Sequence, residues 1–485
     1  MKLNDSNLLR TQAYVDGAWV DADSGETVAV VNPATGSVVA EIARCGQAET
    51  ARAIAAADRA WPLWRVKTAK ERAAALRRLY ELMMAHQEDL AQIMTAEQGK
   101  PLAEARGEIA YGANFLEWFA EEAKRTYGDT IPGPSPDKRI VVIKQGIGVV
   151  ACITPWNFPN AMLTRKIGPA LAAGCTVVCK PATATPLSAL AIGELAQRAG
   201  IPPGVINIVA GATRAIGNEL TSNPLVRKLT FTGSTEVGKS LIKDCADTVK
   251  RTSMELGGNA PFIVLDDADL DAAVEGAIDS KYRNAGQTCV CANRMLVQAG
   301  VYDAFAEKLA AAVAQLKVGN GVDDAVEIGP MIDAKAADTV LAMIADATQR
   351  GGEVLVGGER GPAGDAYVLP TVIKHATEDM RVFREEIFGP VAPLLRFETE
   401  ADVIRLANAT EFGLAAYFYS RDIGRIWRLA EAIEYGIVGV NTGLVSNEMA
   451  PFGGMKQSGN GREGSKYGID EYEEIKYLCL GGLDR

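Results

Sequence analysis

GVVACITPWNFPNAMLTRKIGPALAAGCTVVCK, residues 148–180, is the most informative stretch of the chain for the fold. Two short apolar runs, Gly148–Ile153 and Thr176–Cys179, have the length and β-branched composition of strands. Residues 160–173 between them have a helical pattern. A strand, a helix and a second strand in this order predict a parallel strand pair with the helix packed against it.

This alternation continues along most of the chain. The first series adds helices at 187–199 and 214–221 and strands at 205–209, 229–231, 252–256 and 262–265. A second series has helices at 269–284, 302–316, 334–350, 401–409 and 422–433, and strands at 294–298, 390–397, 415–419 and 437–440. We therefore predict an α/β protein with a doubly wound parallel sheet, which binds ligands at the carboxyl ends of its strands, and a second α/β unit.

Two regions lie outside these series. Residues 48–127 have apolar spacings of three and four, which predict helices through Ala51–Ala60, Ala73–Leu90 and Leu102–Ala123. The stretch PGPSP (132–136) reads as a rigid linker. The alternating runs Arg139–Lys144 and EYEEIKYLCL (471–480) predict a small separate sheet used for oligomerisation.

The composition excludes several classes of partner. The chain has 485 residues and a net charge of -11, which argues against nucleic acid or a membrane surface as a partner. Eight cysteines without zinc-finger spacing, and an N-terminus without a signal-peptide core, predict free thiols in a cytoplasmic protein. The only histidines, His86 and His375, lie in polar stretches. A hydrolase triad or an imidazole metal site is therefore not expected.

FTGSTEVGKS (231–240) raises an alternative function, because it satisfies the G-x-x-x-x-G-K-[ST] pattern of ATP-hydrolysing enzymes. Glu236, however, would place a carboxylate among the amides that bind phosphate. The β-branched Thr235 and Val237 also disfavour the tightly curled backbone of such a loop. ATP hydrolysis is therefore a weak alternative.

Two further stretches contain side chains suited to covalent catalysis. NAGQTCVCANR (284–294) surrounds Cys289 with polar residues, which suit an exposed, hydrogen-bonded thiolate; the alternative is a thiol packed near a helix end. MELGGNAPF (254–262) places Glu255 at the end of a strand and before two glycines. This residue is either a hinge or edge residue or a general base.

Two strand ends contribute polar groups. CITPWNFP (152–159) offers the Asn157 side-chain N–H to an oxyanion. TVVCKPATATP (176–186) ends a strand at Lys180, where a cation would meet a ribose or a phosphate. The alternative is an ordinary exposed lysine.

Taken together, these stretches resemble the aldehyde dehydrogenase superfamily over nearly the whole chain. The matching motifs are PWNFP (155–159), KPA (180–182), FTGSTEVG (231–238), MELGG (254–258), GQTC (286–289), EEIFGPV (385–391) and PFGGMKQSG (451–459). The resemblance implies a dinucleotide-binding domain at 1–129 and 149–257, a catalytic domain at 258–469 and oligomerisation strands at 130–148 and 470–485. It also makes the ATPase pattern an accidental match.

The resemblance implies a catalytic set of Cys289, Glu255, Asn157 and Lys180 and no metal. Cys289 would attack an aldehyde, and the oxyanion would be held by Asn157 and the Cys289 main-chain N–H. Hydride transfer would leave a thioester, which water activated by Glu255 would hydrolyse. A catalytically silent homologue and a CoA-acylating dehydrogenase are the alternatives. The presence of Cys289, Glu255 and Asn157 argues against a silent homologue, and Glu255 argues against release of the thioester to CoA.

The resemblance also implies a dinucleotide cofactor. Its contacts would be Trp156, Asn157, Lys180, Pro181, Ala182, Thr183, Gly233, Ser234, Leu256, Glu386 and Phe388. Relatives that prefer NAD often place a glutamate at position 183, where its charge would repel a 2′-phosphate. The neutral Thr183, with Lys180 nearby, therefore predicts NADP in preference to NAD.

Within the superfamily, three stretches most resemble succinate-semialdehyde dehydrogenases: 163–174, 282–294 and 441–472. The resemblance implies that Arg165, Arg283 and Ser446 bind the substrate carboxylate; the alternatives are an exposed Arg165, a salt-bridged Arg283 and a solvated Ser446. Asn447, where relatives often carry serine, keeps glutarate semialdehyde as a close alternative.

The resemblance leaves two further points open. Cys291, two residues after Cys289, is a redox-switch candidate or a packing thiol. A homo-oligomer, either a dimer or a tetramer, is also implied.

Overall fold

The computed structural model describes residues 1–483, which form four β-sheets and the helices packed around them. The strands are β1 (Ala13–Val15), β2 (Ala18–Val20), β3 (Thr27–Val31), β4 (Val38–Ala43), β5 (Asp129–Pro132), β6 (Arg139–Gly146), β7 (Val149–Ile153), β8 (Thr176–Lys180), β9 (Ile206–Ile208), β10 (Val226–Thr232), β11 (Arg251–Glu255), β12 (Ala260–Val264), β13 (Ala292–Gln298), β14 (Glu353–Val356), β15 (Thr371–Lys374), β16 (Val391–Phe397), β17 (Ala415–Tyr419), β18 (Ile437–Val440), β19 (Gly459–Asn460) and β20 (Glu473–Leu480).

The α-helices alternate with these strands through most of the chain. They are α1 (Gln47–Arg65), α2 (Ala69–Ala85), α3 (Gln87–Gln98), α4 (Leu102–Glu122), α5 (Ala161–Ala172), α6 (Leu187–Arg198), α7 (Thr213–Ser222), α8 (Thr235–Cys245), α9 (Leu270–Lys281), α10 (Tyr302–Val313), α11 (Ala334–Gln349), α12 (Arg381–Arg384), α13 (Glu400–Asn408) and α14 (Ile423–Ala432).

The first sheet is the predicted doubly wound sheet. Its strand order is β19-β11-β10-β7-β8-β9-β1-β2, and the five strands from β11 to β9 are parallel. Val150 and Cys152 of β7 face a core that includes residues of α2 to α6. Val149 and Ala151 face a core that includes residues of α1, α7 and α8. Burial on both faces explains the continuous apolar sequence of the strand, and the predicted fold class is confirmed.

The carboxyl ends of these parallel strands bring four loops to one edge of the sheet. The loops follow β7, β8, β10 and β11 and comprise residues 154–160, 181–186, 233–234 and 256–259. Most of the side chains that the sequence singled out lie in these loops or at the strand ends.

The second sheet has the order β14-β15-β16-β13-β12-β17-β18 and is parallel except for β14. The apolar run 262–265, assigned from the sequence to the first series, lies mainly in β12. That strand pairs with β13 and β17, so the run belongs to the second sheet. Residues 256–259 therefore carry the chain from the carboxyl end of one sheet to the start of the other.

The predicted small sheet exists but has three strands, in the order β20-β6-β5. The stretch 132–136 is not a linker between units, because Pro132 ends β5 and the remaining residues turn the chain back into β6. Ile475 and Tyr477 of β20 are 72% and 62% exposed. Residues 484–485 of the predicted C-terminal segment lie outside the described residues.

Several strands were not predicted. β1 and β2 have three residues each and β19 has two, so their apolar periodicity is too short to recognise. β3 and β4 form a separate hairpin in which most side chains are exposed or half-buried. The predicted helix 73–90 is divided at His86, where α2 ends and α3 begins.

The turn between α3 and α4, with the ends of both helices, is the segment 97–108, called here the α3–α4 corner. Glu97 accepts hydrogen bonds from the N–H groups of Leu187 and Ser188 at 2.7 and 2.8 Å. Glu108 accepts hydrogen bonds from the N–H groups of Asn160 and Ala161 at 3.0 and 3.1 Å. Neither α5 nor α6 has a side-chain cap of its own. The corner therefore caps the two helices that follow β7 and β8.

Replacing Glu97 with alanine is expected to lower the thermal unfolding midpoint. Two buried N–H groups lose their acceptor, and an unsatisfied buried donor costs about 1–3 kcal/mol. The matched control is Glu88→Ala on the same helix, because Glu88 pairs with Arg106 at the surface and is 46% exposed. Calorimetry at one protein concentration checks this; equal shifts in both variants would contradict the capping role.

Candidate active site

Cys289 lies in the wall between two cavities. The first, of about 260 Å³, is also lined by Arg165, Arg283 and Ser446. The second, of about 240 Å³, is lined among others by Trp156, Asn157, Gly233, Ser234, Glu255, Leu256, Glu386 and Phe388. A nucleophile in this position can face one ligand on each side.

The loop before Cys289 has a strained backbone. After α9, Asn284 and Ala285 adopt left-handed conformations with φ of 51° and 54°, which are unfavourable for residues other than glycine. Gln287 holds the loop: its Nε2 donates to the Asn284 carbonyl at 3.0 Å, and its Oε1 accepts from the Ile332 N–H at 2.8 Å. Neighbouring side chains therefore fix the position of Cys289.

Asn157 reaches the same loop from the first sheet. It is buried in the loop after β7, and its Nδ2 donates to the Gln287 carbonyl at 2.9 Å. An amide NH₂ has two N–H groups, so one remains for an oxyanion formed at Cys289. The structure thus brings the predicted oxyanion donor next to the predicted nucleophile.

The Cys289 thiol is less exposed than the sequence predicts. The expectation of an exposed thiolate is wrong, because the side chain is half-buried. Burial raises its pKa to about 12; the Glu386 and Glu255 carboxylates act in the same direction, and the two arginines of the first cavity oppose them. The resting group is therefore a thiol, and its activation needs a proton acceptor.

Glu255 ends β11 and lies inside the second cavity. Its Oε2 has no hydrogen-bond partner among residues 1–483. Burial raises the pKa of the Glu255 carboxyl well above its usual range, and the nearby Glu463 raises it further. Burial acts on Glu463 too, but the cations of Lys166 and Arg165 hold its pKa below the usual range. Of the two carboxyls, Glu255 therefore retains its proton to higher pH.

Arg165 is the strongest anion-binding candidate in the first cavity. Its side chain is fully buried, so the expectation of an exposed helical arginine is excluded. Its Nε lies 2.6 Å from Glu463 Oε2, although the N–H does not point at that oxygen and the contact is an ion pair without a hydrogen bond. Its buried Nη2 has no partner in the described part of the chain. An unpaired buried N–H group is costly unless a ligand accepts from it.

Arg283 and Ser446 also line the first cavity, and both are half-buried. Arg283 makes no salt bridge to any residue that the structure describes. Its guanidinium carbon instead lies 5.4 Å from the ring centre of Phe158. The salt-bridged alternative for Arg283 is therefore not supported.

The second cavity has aromatic walls and a half-buried acid. Trp156 and Phe388 meet edge to face, with ring centres 5.6 Å apart. Glu386 accepts a hydrogen bond from the Gly258 N–H at 3.0 Å, and burial raises its pKa to about 7. Ser234 caps α8 by accepting from the Val237 N–H. Flat aromatic walls, a hydrogen-bonding acid and a helix N-terminus suit a ring, a ribose and a phosphate.

Four predicted cofactor residues lie outside both cavities, at the end of β8: Lys180, Pro181, Ala182 and Thr183. Burial lowers the pKa of Lys180 to about 8, and its Nζ donates to the Pro181 carbonyl at 3.2 Å. The Thr183 hydroxyl donates to the Gly211 carbonyl at 3.1 Å. Lys180 lines neither of the two cavities that Cys289 separates, and its predicted roles in catalysis and cofactor binding both stay predictions.

The ATPase alternative loses its support in the structure. Lys239 is exposed, and its Nζ donates to Gln457 Oε1 at 2.6 Å. Ser240 is also exposed and contacts Asp244. The lysine and serine that would hold a nucleotide phosphate and its metal are thus engaged at the surface of α8.

The thiol of Cys291 bonds to main-chain oxygens. Its thiol is buried and donates to the Lys281 carbonyl at 3.2 Å, and both cysteines are free thiols. The redox-switch hypothesis stays a prediction, and it requires Cys291 to leave this contact.

The sequence missed several side chains of the site. Tyr111 lines the first cavity, with its hydroxyl 3.4 Å from Arg165 Nη1. Glu463 binds Lys166 Nζ at 2.5 Å. The sequence signal for such an acid was the pair of adjacent cations, Arg165 and Lys166, in an otherwise apolar helix. Two adjacent cations are buried only when an acidic partner compensates their charge.

Two classes of site are not found within residues 1–483. Among residues 1–483, no group of three or more histidine, cysteine or acidic side chains is placed to hold a metal ion. No helix in this part of the chain is long and apolar enough to cross a membrane.

The fold and the site define a class of protein. Two α/β sheets meet at a cysteine that lies between two cavities, and residues 19–478 match the aldehyde dehydrogenase family. The chain therefore belongs to the aldehyde dehydrogenase family and is an oxidoreductase.

Particular relatives are close. The chain is 64% identical to a glutarate-semialdehyde dehydrogenase of Pseudomonas aeruginosa, with 100% of both chains covered. It is 63% identical to an NADP(+)-type succinate-semialdehyde dehydrogenase of Escherichia coli, covering 99% of this chain and 100% of that one. A crystal structure of succinate-semialdehyde dehydrogenase from Burkholderia pseudomallei matches with a TM-score of 0.98 and 62% identity, over 99% of this chain and 100% of the other.

The raised pKa of Glu255 predicts a pH dependence of turnover. A general base acts when deprotonated, so kcat for aldehyde oxidation is expected to rise with pH through the raised pKa and to fall below it. Glu255→Gln should lose this dependence and release a burst of about one reduced cofactor per subunit, because the thioester then waits for water. Stopped-flow absorbance over a pH series measures both. An unchanged pH profile in Glu255→Gln would contradict the role.

Proposed function

We propose that this chain oxidises succinate semialdehyde to succinate with reduction of NADP. One observation carries the proposal: Cys289 faces, on one side, a cavity that contains a buried arginine with an unpartnered N–H group. On its other side lies the cavity of predicted dinucleotide contacts. This arrangement suits a small aldehyde that carries a carboxylate at its far end.

In the proposed mechanism, the ionised Glu255 takes the proton of the Cys289 thiol and later releases it to solvent, and the Cys289 sulfur adds to the aldehyde carbon. The second Asn157 N–H and the Cys289 main-chain N–H stabilise the oxyanion, an interaction whose loss typically raises the barrier by about 3–4 kcal/mol. Trp156, Glu386 and Phe388 would hold NADP in the second cavity, where it would supply a hydride acceptor, so that the carbon of the adduct could reach the oxidation level of a thioester. Glu255 then takes a proton from water, water attacks the thioester, and the acid leaves as the thiol is restored.

The residues present fit the cofactor. The side chains of Trp156, Phe388 and Glu386 suit the nicotinamide ring and its ribose, and Gly233 and Ser234 lie where α8 begins. A Cβ at Gly257 would lie 2.9 Å from Glu386 Oε2. Because Gly257 has no side chain, the second cavity stays open beside Glu386, the acid that would bind the ribose.

The carboxylate end of the substrate would be held by Arg165, Arg283 and Ser446. Two guanidiniums can each offer paired N–H groups to one carboxylate, and a serine hydroxyl can add a third contact. Glutarate semialdehyde is the alternative substrate, favoured by the 64% identical relative and by Asn447, which is half-buried beside Ser446. Release of the thioester to CoA is less consistent with Glu255 at the site.

The proposal includes the domain organisation that the sequence predicts. It comprises a dinucleotide-binding domain at 1–129 and 149–257, a catalytic domain at 258–469, and oligomerisation strands at 130–148 and 470–485. The exposed apolar side chains of β20 support a subunit contact there, because a soluble monomer seldom exposes such a row. A cytoplasmic homodimer or homotetramer is the proposed state.

Arg283→Ala should distinguish substrates with and without a carboxylate. We expect kcat/KM for succinate semialdehyde to fall at least about tenfold, since loss of one partner of a desolvated charge pair costs about 2–5 kcal/mol. Butyraldehyde, which lacks the carboxylate, is the internal control and should be spared. A panel that adds glutarate semialdehyde ranks the two proposed substrates. Equal losses for butyraldehyde and succinate semialdehyde would mean that Arg283 supports Cys289 and does not bind the carboxylate.

Thr183→Glu should shift cofactor preference toward NAD. The added carboxylate would repel a 2′-phosphate and accept hydrogen bonds from ribose hydroxyls, so the NADP-to-NAD ratio of kcat/KM should fall by about tenfold or more. The control is Ala184→Glu, which adds the same charge at the next, exposed position. A wild type with the higher kcat/KM for NAD would refute the NADP assignment.

A further inference from the structure

The α3–α4 corner contains a buried ion pair beside the first cavity, which Glu108 helps to line. Lys100 Nζ lies 2.6 Å from Glu108 Oε2, and both side chains are 1% exposed. Such a pair is costly to desolvate and persists only with further hydrogen bonds. Those further bonds lead to the loop that carries Asn157.

Lys100 contacts this loop directly. Its Nζ donates to the Asn157 carbonyl at 2.8 Å and lies 3.8 Å from the ring centre of Phe158. Its partner Glu108 accepts from the N–H groups of Asn160 and Ala161, where α5 begins. The ion pair thus holds both ends of the segment 157–161.

The corner also holds the loop before Cys289. Glu104 accepts from the Asn284 N–H at 2.9 Å through one oxygen and at 3.1 Å through the other. Gln98 Nε2 donates to Asn284 Oδ1 at 2.9 Å. Asn284 Nδ2 then donates at 3.0 Å to the Asn157 carbonyl, the same oxygen that Lys100 binds. The Asn157 carbonyl therefore accepts one hydrogen bond from Lys100 and one from Asn284, and the two bonds together fix its peptide group.

We propose that Lys100 is a positioning residue for the oxyanion site: by fixing the Asn157 main chain, it aims the Asn157 amide at the atoms that react on Cys289. This inference rests on the proposed function, because it assigns a support to the proposed role of Asn157. Lys100 touches neither substrate nor Cys289 and acts through Asn157.

The test is a double-mutant cycle in the full-length enzyme with succinate semialdehyde and NADP. Lys100→Met, Asn157→Ala and the double variant are compared by kcat and KM. The matched control is Lys228→Met, because Lys228 is also fully buried, bonds Ser253 and pairs with Glu471 at 3.5 Å, but contacts neither loop. If Lys100→Met does not fold, Lys100→Met with Glu108→Gln removes both charges and keeps an acceptor for the start of α5.

We expect Lys100→Met to lower kcat at least about tenfold with KM changed less than about threefold, the pattern of an interaction used in the transition state. In the Asn157→Ala background the same substitution should change kcat less than about threefold, because coupled residues are not additive. Additive losses, a change in KM alone, or an equal loss in Lys228→Met would overturn the inference.

The same measurements separate this inference from the proposed function. A wild type inactive on semialdehydes, or an Asn157→Ala variant at full rate, would refute the proposed function and, with it, the role of Lys100. A slow Asn157→Ala enzyme beside a Lys100→Met enzyme of normal rate would refute the role of Lys100 alone.

Discussion

The buried ion pair between Lys100 and Glu108 is the interaction on which the arrangement of the site depends. Two charges with 1% exposure need compensation for lost water, and here it comes from the Asn157 carbonyl and the first N–H groups of α5. The groups that stabilise the pair are therefore the groups that must be placed accurately for chemistry. The contacts that stabilise the α3–α4 corner therefore also set the geometry of the site.

Burial also determines which ionisable groups of the site are charged. Burial raises the pKa of Glu255 and so keeps a proton on it; the ionised Glu463, held in that form by Lys166 and Arg165, adds to this effect. Cys289 is likewise neutral at rest, because burial opposes its ionisation. A site built in this way exposes no reactive anion until a ligand changes the local electrostatics.

The sequence predicted what depends on local pattern. The strands β7 and β8 were visible because burial on both faces makes them continuously apolar, and Cys289, Glu255 and Asn157 were visible in short motifs. Contacts between distant segments were not visible. Lys100 meets Asn157 57 residues away, and Gln98 meets Asn284 186 residues away. In the sequence both are polar residues near a glycine, typical of a solvated turn, and only the tertiary packing makes them buried.

The α3–α4 corner also bears on the proposed selection of an anionic semialdehyde of defined length by a chain whose net charge is -11. The net charge acts through solvent, where salt screens it beyond about 8–10 Å, whereas the Arg165 guanidinium is buried and keeps an N–H without a partner in the described chain. Arg165 lies about one turn into α5, the helix that Glu108 caps, and Cys289 follows the strained segment that Glu104 holds. Glu104 and Glu108 are one turn apart on the rigid helix α4. With the proposed function, α4 would set the distance between Cys289 and Arg165, and a choice between four- and five-carbon semialdehydes would depend on this helix as well as on the side chains that line the first cavity.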